Sequence, residues 1–250
     1  WIPVFEILEA SGFEVILVNA RDVKNVPGRK TDVNDAQWLQ RLHQFGLLRG
    51  SFRPHESVVR LRALLRHRER LIDWAASHIQ LMQKALMQMN VQLHHVVTDI
   101  TGVTGMKIIR GIVAGEYDAR VLALYRDVRC RESVETICDA LAGNYRSEHV
   151  FALRHALELY EFLHTKIAEA DAENESVLQA LNANRSEPTI PIPRVRHTKG
   201  RNEPHFDVRG QLYKMLGADL TQIHGLGPYT VLRLIAECGD DMGRWPTVKN

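Results

Sequence analysis

From residue 56 onward the apolar positions keep a helical beat. Val58, Leu61, Leu65, Ile72, Ala75, Ile79, Met82, Leu86, Met89 and Leu93 recur at three, four or seven residues, with no Pro or Gly between them. The pattern predicts one helix over 56–93, on the order of 55 Å at about 1.5 Å per residue. A second run starts at Ser147, a candidate N-cap, and continues to Leu181. Leu153, Tyr160, Ile167, Asn174 and Leu181 repeat every seven residues. So do Ala156, Leu163, Ala170 and Val177, offset by three, which is the a/d pattern of a coiled coil. Asn174 at an a-type position is the kind of residue that fixes register or partner number. Between the runs, Gly102, Gly105, Gly111, Gly115 and Gly143 punctuate 98–144, and helices are expected near 106–113, 118–125 and 133–142. Thr101–Gly105 reads as a plain loop, with a phosphate-accepting turn as the lesser alternative. Two long helices joined by a knobbed tip make an antiparallel coiled coil over 55–184. The pattern leaves open whether it pairs within the chain, between chains, or both.

The beginning of the chain is different. Trp1 to Ala10 is an amphipathic helix with Val4, Phe5 and Leu8 on one face and Gly12 as its stop. Phe13, Val15, Ile16, Leu17 and Val18 form a short strand-like run. A basic loop follows (Arg21, Lys24, Arg29, Lys30), with a Pro27-Gly28 turn. A helix then opens at Asp32 and carries Val33, Ala36, Leu39 and Leu42 on one side. The fold class is therefore mainly α with a small α/β part over 1–54. Near the other end, Pro188, Pro191, Pro193 and Pro204 make 185–210 an extended linker. From 211 to 250 a helix, the turn Gly225-Leu226-Gly227 and a helix starting at Pro228 give a helix-hairpin-helix pattern.

Composition places this in a soluble protein. Hydrophobic residues are 45% and charged residues 25%. The absence of any long uncharged apolar run or signal-like segment argues against a membrane span and for the cytoplasm. The 3 cysteines, Cys130, Cys138 and Cys238, lack zinc or disulfide spacing. The 12 histidines form no metal-binding cluster. Net charge is only +2, but it is unevenly spread. Arg41, Arg49, Arg53, Arg60, Arg62, Arg66, Arg68 and Arg70 face only Glu56 and Glu69, while acids collect at 158–175. Such a division suits a polyanion partner.

Asp32 and Asp35 are the candidate chemistry. Three apart at a helix start, they share a face. One reading is an N-cap and a dipole-compensating acid. The other is half of a Mg²⁺ site, since Mg²⁺ takes hard carboxylate oxygens and two-metal phosphoryl-transfer sites gather several acids. Lys24, Arg29 and Lys30 would hold a phosphate backbone beside it. Arg194, Arg196, Lys199 and Arg201 make the linker a candidate RNA or DNA strap. Gly225 and Gly227 allow close backbone approach to a helix start, which suits phosphate contact without base reading.

Asn19-Ala20, Val23-Lys24, Gly28-Arg29-Lys30-Thr31-Asp32, Asp35-Ala36, Trp38-Leu39, Gly46-Leu47-Leu48, Ser51-Phe52 and Pro54 resemble the DEDD transposases of insertion-sequence family one-hundred-and-ten, the bridge-RNA-guided recombinases. The resemblance extends over nearly all of the chain. It is strong again from Leu216 to Trp245, where Glu237, Gly239, Asp240, Met242 and Trp245 match the opening of the family's C-terminal transposase domain. It implies that Asp32 and Asp35 are the third and fourth acids of a DEDD tetrad in an RNase H-like (RuvC-like) domain, and Mg²⁺ ligands. The first Asp and the Glu are expected before Trp1, because Glu6, Glu9 and Glu14 are misplaced for those roles. The catalytic serine is expected after Asn250. The activity implied is DNA cleavage and rejoining through a serine–phosphate intermediate, with DNA and a guide RNA as partners and a homo-oligomer, dimer or tetramer, built on the coiled coil. The 250 residues alone are expected to bind nucleic acid with steep salt dependence and not to transfer strands. Two other classes stay open. One is an RNase H-like structure-specific nuclease of the junction-resolvase type. The other is a non-catalytic coiled-coil DNA-binding protein in which the two acids only cap a helix.

Overall fold

A computed structural model describes residues 1–24, 32–53, 55–186, 188, 190–194, 199–241, 243 and 245. The chain divides into two compact units, 1–55 and 56–250.

In the first unit, helix α1 (Ile2–Ala10) starts with a Pro in its first turn and ends on Gly12 at φ +83°. The Gly12 and Phe13 amides donate to the Glu9 and Leu8 carbonyls at 2.9 and 3.1 Å, closing the helix as a Schellman motif. Phe5 is its buried residue, and the Arg53 guanidinium lies 4.4 Å from the Phe5 ring while pairing with Glu9 at 2.5 Å. The strand expected over 13–18 is not formed. That stretch has no regular structure, and its pairing is one antiparallel bridge, Val18 with Gly50, plus a bond from the Ser51 amide to the Leu17 carbonyl. A ladder needs a partner of several residues, and here the pairing stops at one bridge. No named strand occurs among the described residues, so the small α/β part is helix and irregular chain here. Residues 20–24, expected in a loop, form a short helix, α2 (Ala20–Lys24), behind Asn19, whose side chain accepts from the Arg21 amide. Helix α3 (Asp32–Gln44) stops at Gly46, φ +64°. Of its predicted apolar face Leu42 is buried, whereas Ala36 and Leu39 are exposed.

The second unit is built on α4 (Glu56–Gln88) and α9 (Ser147–Asn182), packed antiparallel along their length. The long helix ends five residues earlier than its hydrophobic pattern. Asn90 takes φ +58°, and the Asn90 and Val91 amides donate to the Met87 and Leu86 carbonyls. Asn tolerates this left-handed conformation, and buried Val91 closes over buried Leu86. Residues 93–96 form a separate turn, α5 (Leu93–Val96). The tip continues with α6 (Val103–Val113), α7 (Ala119–Ala123) and α8 (Val134–Ala140), close to the expected short helices. Thr101–Gly105 is not a loop throughout, because Gly102 is the N-cap of α6 and Val103–Gly105 its first turn. The N-cap of α9 is Arg146, with Ser147 already inside the helix.

Of the heptad positions, Leu153, Ala156, Tyr160, Leu163, Ile167, Ala170, Asn174 and Val177 are buried and Leu181 is partly buried. The Asn174 amide donates to the Ala170 carbonyl in its own helix at 2.7 Å. At the open end of the pair, Leu61, Leu65, Val177 and Leu178 form a second core with α10 (Val208–Leu216) and α11 (Pro228–Cys238).

Candidate nucleic-acid interface

Asp32 and Asp35 lie in the first turn of α3, three residues apart on one face of the helix. Lys24 is the last residue of α2. Arg29 and Lys30 fall outside the described residues, in the 25–31 stretch between the two helices. Among the described residues no group of three or more His, Cys, Asp or Glu is arranged to hold a metal ion. The structure describes the backbone of both acids in the first turn of α3 and neither carboxylate.

The linker cations differ in their surroundings. Arg194 and Lys199 are exposed, and Arg196 falls outside the described residues. Arg201 is engaged: its guanidinium lies 2.6 Å from Asp99 and donates also to the Thr101 hydroxyl. Arg209, further on, pairs with Asp219 and donates to the Pro193 carbonyl at 2.9 Å. Asp219 also accepts from the Thr221 amide and hydroxyl and from Gln222. The Arg209 guanidinium first, and these donors after it, hold its carboxyl well below the usual carboxylate range.

Asp219 thereby caps a single 3₁₀ turn, Leu220–Gln222, where the sequence suggested an α-helix before the glycines. Gly225 follows at φ +88°, a value that favours glycine. Gly227 is the extended N-cap of α11, and Pro228 stands in its first turn. No side chain caps this helix start. A helix start of this kind turns amides and a positive dipole end outward, and the Glu203 carboxylate lies beside Gly227. The Tyr229 ring lies 5.0 Å from the Arg68 guanidinium carbon, and burial pushes its phenol up.

Part of the arginine-rich stretch is engaged by carboxylates and carbonyls. Arg60 pairs with Glu173 at 2.5 Å, and Arg68 pairs with Asp171. Arg62 donates to the Ala236 and Glu237 carbonyls at 2.9 and 2.5 Å, and Arg66 grips the Glu237 carboxylate at 2.8 Å with two nitrogens. These partners lie more than 100 residues away in the chain, so charge counting in a local window could not find them. Arg41, Arg49 and Arg70 have no ion pair among the described residues. Asp99 and Thr101 were also missed as partners of Arg201. The local sign was present, because Asp99-x-Thr101 is an Asx turn, in which the Thr101 amide donates to the Asp99 carboxylate at 2.9 Å.

No helix among the described residues is long and apolar enough to cross a membrane. Residues 1–91 match the family model of the DEDD transposases of the IS110 type, described as "Transposase". No curated protein and no solved structure matches the chain.

Proposed function

We propose, on the premise that residues 1–91 belong to the IS110 type of DEDD transposases, that this chain is part of a Mg²⁺-dependent enzyme that cleaves and rejoins DNA. The observation that carries the reading is that Asp32 and Asp35 open α3, on one face, inside the matched segment. A rigid helix start fixes the spacing of two carboxylates better than a loop does. In this reading Asp32 and Asp35 hold the ion, which neutralises developing charge on the phosphate when bound. Lys24, Arg29 and Lys30 hold the phosphodiester beside them.

The remaining assignments follow the same premise. Residues 1–54 belong to an RNase H-like domain and 55–184 to a coiled-coil arm that joins copies into a dimer or tetramer. Residues 185–210 are a nucleic-acid strap, and 211–250 begin a helix-hairpin-helix-containing domain. A serine outside residues 1–250 is the nucleophile, and a guide RNA selects the DNA. Arg194, Arg196, Lys199, Arg201 and the Gly225–Gly227 turn contact backbone phosphate, in the cytoplasm.

The test uses Asp32→Asn and Asp35→Asn in the complete transposase, with DNA joining and Mg²⁺ binding both measured. Loss of joining together with weaker Mg²⁺ binding, at unchanged melting temperature, is expected. Joining and Mg²⁺ affinity that both survive would reduce the acids to helix caps. Cleavage products free of covalently attached protein would move the enzyme to the hydrolytic nucleases.

A further inference from the structure

Arg201 is held in the structure by an oxygen pair that resembles its proposed ligand. One terminal nitrogen lies 2.6 Å from Asp99 Oδ2, and the other donates to Thr101 Oγ. The receiving oxygens are preorganised, because Asp99 Oδ1 accepts from the Thr101 amide at 2.9 Å and its hydroxyl at 2.8 Å. A guanidinium fork facing one charged and one neutral oxygen meets the arrangement that a phosphodiester also offers. The contact joins the linker to the loop between α5 and α6, 102 residues away. Both side chains are close to half exposed, 47% and 40%, so water, salt and a competing anion all reach the pair. Arg201 and His205 both lie within electrostatic range of His164 of α9, whose imidazole is held below its usual value first by burial and then by these two neighbours.

We propose that Asp99, with Thr101, is an intramolecular stand-in for backbone phosphate: it holds Arg201 in the free protein and yields it to the phosphodiester of bound RNA or DNA. Binding then releases the Arg201 side chain from the base of the tip, while the Arg209 contact to the Pro193 carbonyl and the His205 amide contact to Asp171 keep the rest of the linker in place. This rests on the strap reading of Arg201 given above.

The test measures binding of a labelled single-stranded RNA and a labelled DNA duplex to the 250-residue chain across a salt series. Four proteins are compared: wild type, Asp99→Asn, Arg201→Ala and the double variant. Asn keeps an oxygen for the Thr101 amide and removes the charge that holds Arg201. Arg201→Ala is expected to weaken binding and to flatten the log–log salt slope by roughly 0.7 for the single strand or 0.9 for the duplex. Asp99→Asn is expected to tighten binding roughly 2- to 5-fold, the population ratio that an exposed ion pair sustains. The double variant should then match Arg201→Ala. If Arg201→Ala changes nothing, the strap reading fails at this residue and the inference fails with it. If Arg201→Ala weakens binding but Asp99→Asn does not tighten it, the inference alone fails. An equal gain from Asp99→Asn in the Arg201→Ala background also overturns it, since the effect is then only a lost negative charge. Should Asp99→Asn not fold, Thr101→Ala removes the second oxygen and must tighten binding in the same direction. The nucleic acid with the larger Arg201 effect is the strap's ligand.

Discussion

Arg68 of α4 and Asp171 of α9 form an ion pair from which water is almost fully excluded, with side chains 1% and 4% exposed. Asp171 accepts in addition from the His205 amide at 3.1 Å. One carboxylate therefore ties both long helices to the end of the linker. A buried pair of this kind adds little net stability over an apolar replacement, but breaking it strands a charge. Asp171→Ala is expected to cost about 3–5 kcal/mol in urea unfolding. Arg68→Met with Asp171→Leu should cost far less than the sum of the single changes, because no charge is left behind.

Asp219 supplies a pH-dependent part of the stability. Its folded-state carboxyl titrates below the unfolded value, with Arg209 as the main cause. The contribution is therefore fully present above the unfolded value of about 3.9 and is lost as pH falls toward the folded one. Between about pH 4 and pH 2 the urea midpoint should fall more steeply for the wild type than for Asp219→Asn. At pH 7 Asp219→Asn should be destabilised by about 1.5–3 kcal/mol, the range for hydrogen bonds to a charged group. Parallel acid limbs for the two proteins would show that Asp219 titrates alike folded and unfolded.

Gly105 sits inside α6, where Ala would ordinarily favour the helix by about 1 kcal/mol. A Cβ at this position would lie 2.1 Å from the Ile100 carbonyl oxygen, a backbone atom that cannot swing aside. The clash outweighs the propensity. Gly105→Ala should lower stability by about 1–3 kcal/mol or more in thermal or chemical unfolding.

Arg62 is a structural arginine. It donates to two carbonyls at the end of α11, where the orphan acceptors and the negative dipole end welcome a cation. Arg62→Ala should destabilise the chain by about 1–2 kcal/mol and leave the salt slope of nucleic-acid binding unchanged. A flattened slope would return this arginine to the nucleic-acid face.

The local grammar of the chain was readable without coordinates. The heptads of α9 named its buried side, because the period of an apolar stripe reports which face must leave water, whatever the partner is. The glycine-punctuated tip gave its short helices for the same local reason. The matched segment with Asp32 and Asp35 was recognisable from a run of contiguous residue types. Tertiary structure decided matters that depend on distant atoms. Asn90 ended α4 five residues early, since the left-handed turn gains from Val91 packing over Leu86. Residues 13–18 formed one bridge and no ladder, because strand formation requires a second segment alongside. Arg68 turned inward to Asp171, Arg60 and Arg66 found Glu173 and Glu237 at the surface, and Arg201 found Asp99. Charge sign is written in the sequence. Whether a charge faces solvent or a carboxylate depends on which distant residues the fold brings within a few ångströms of it.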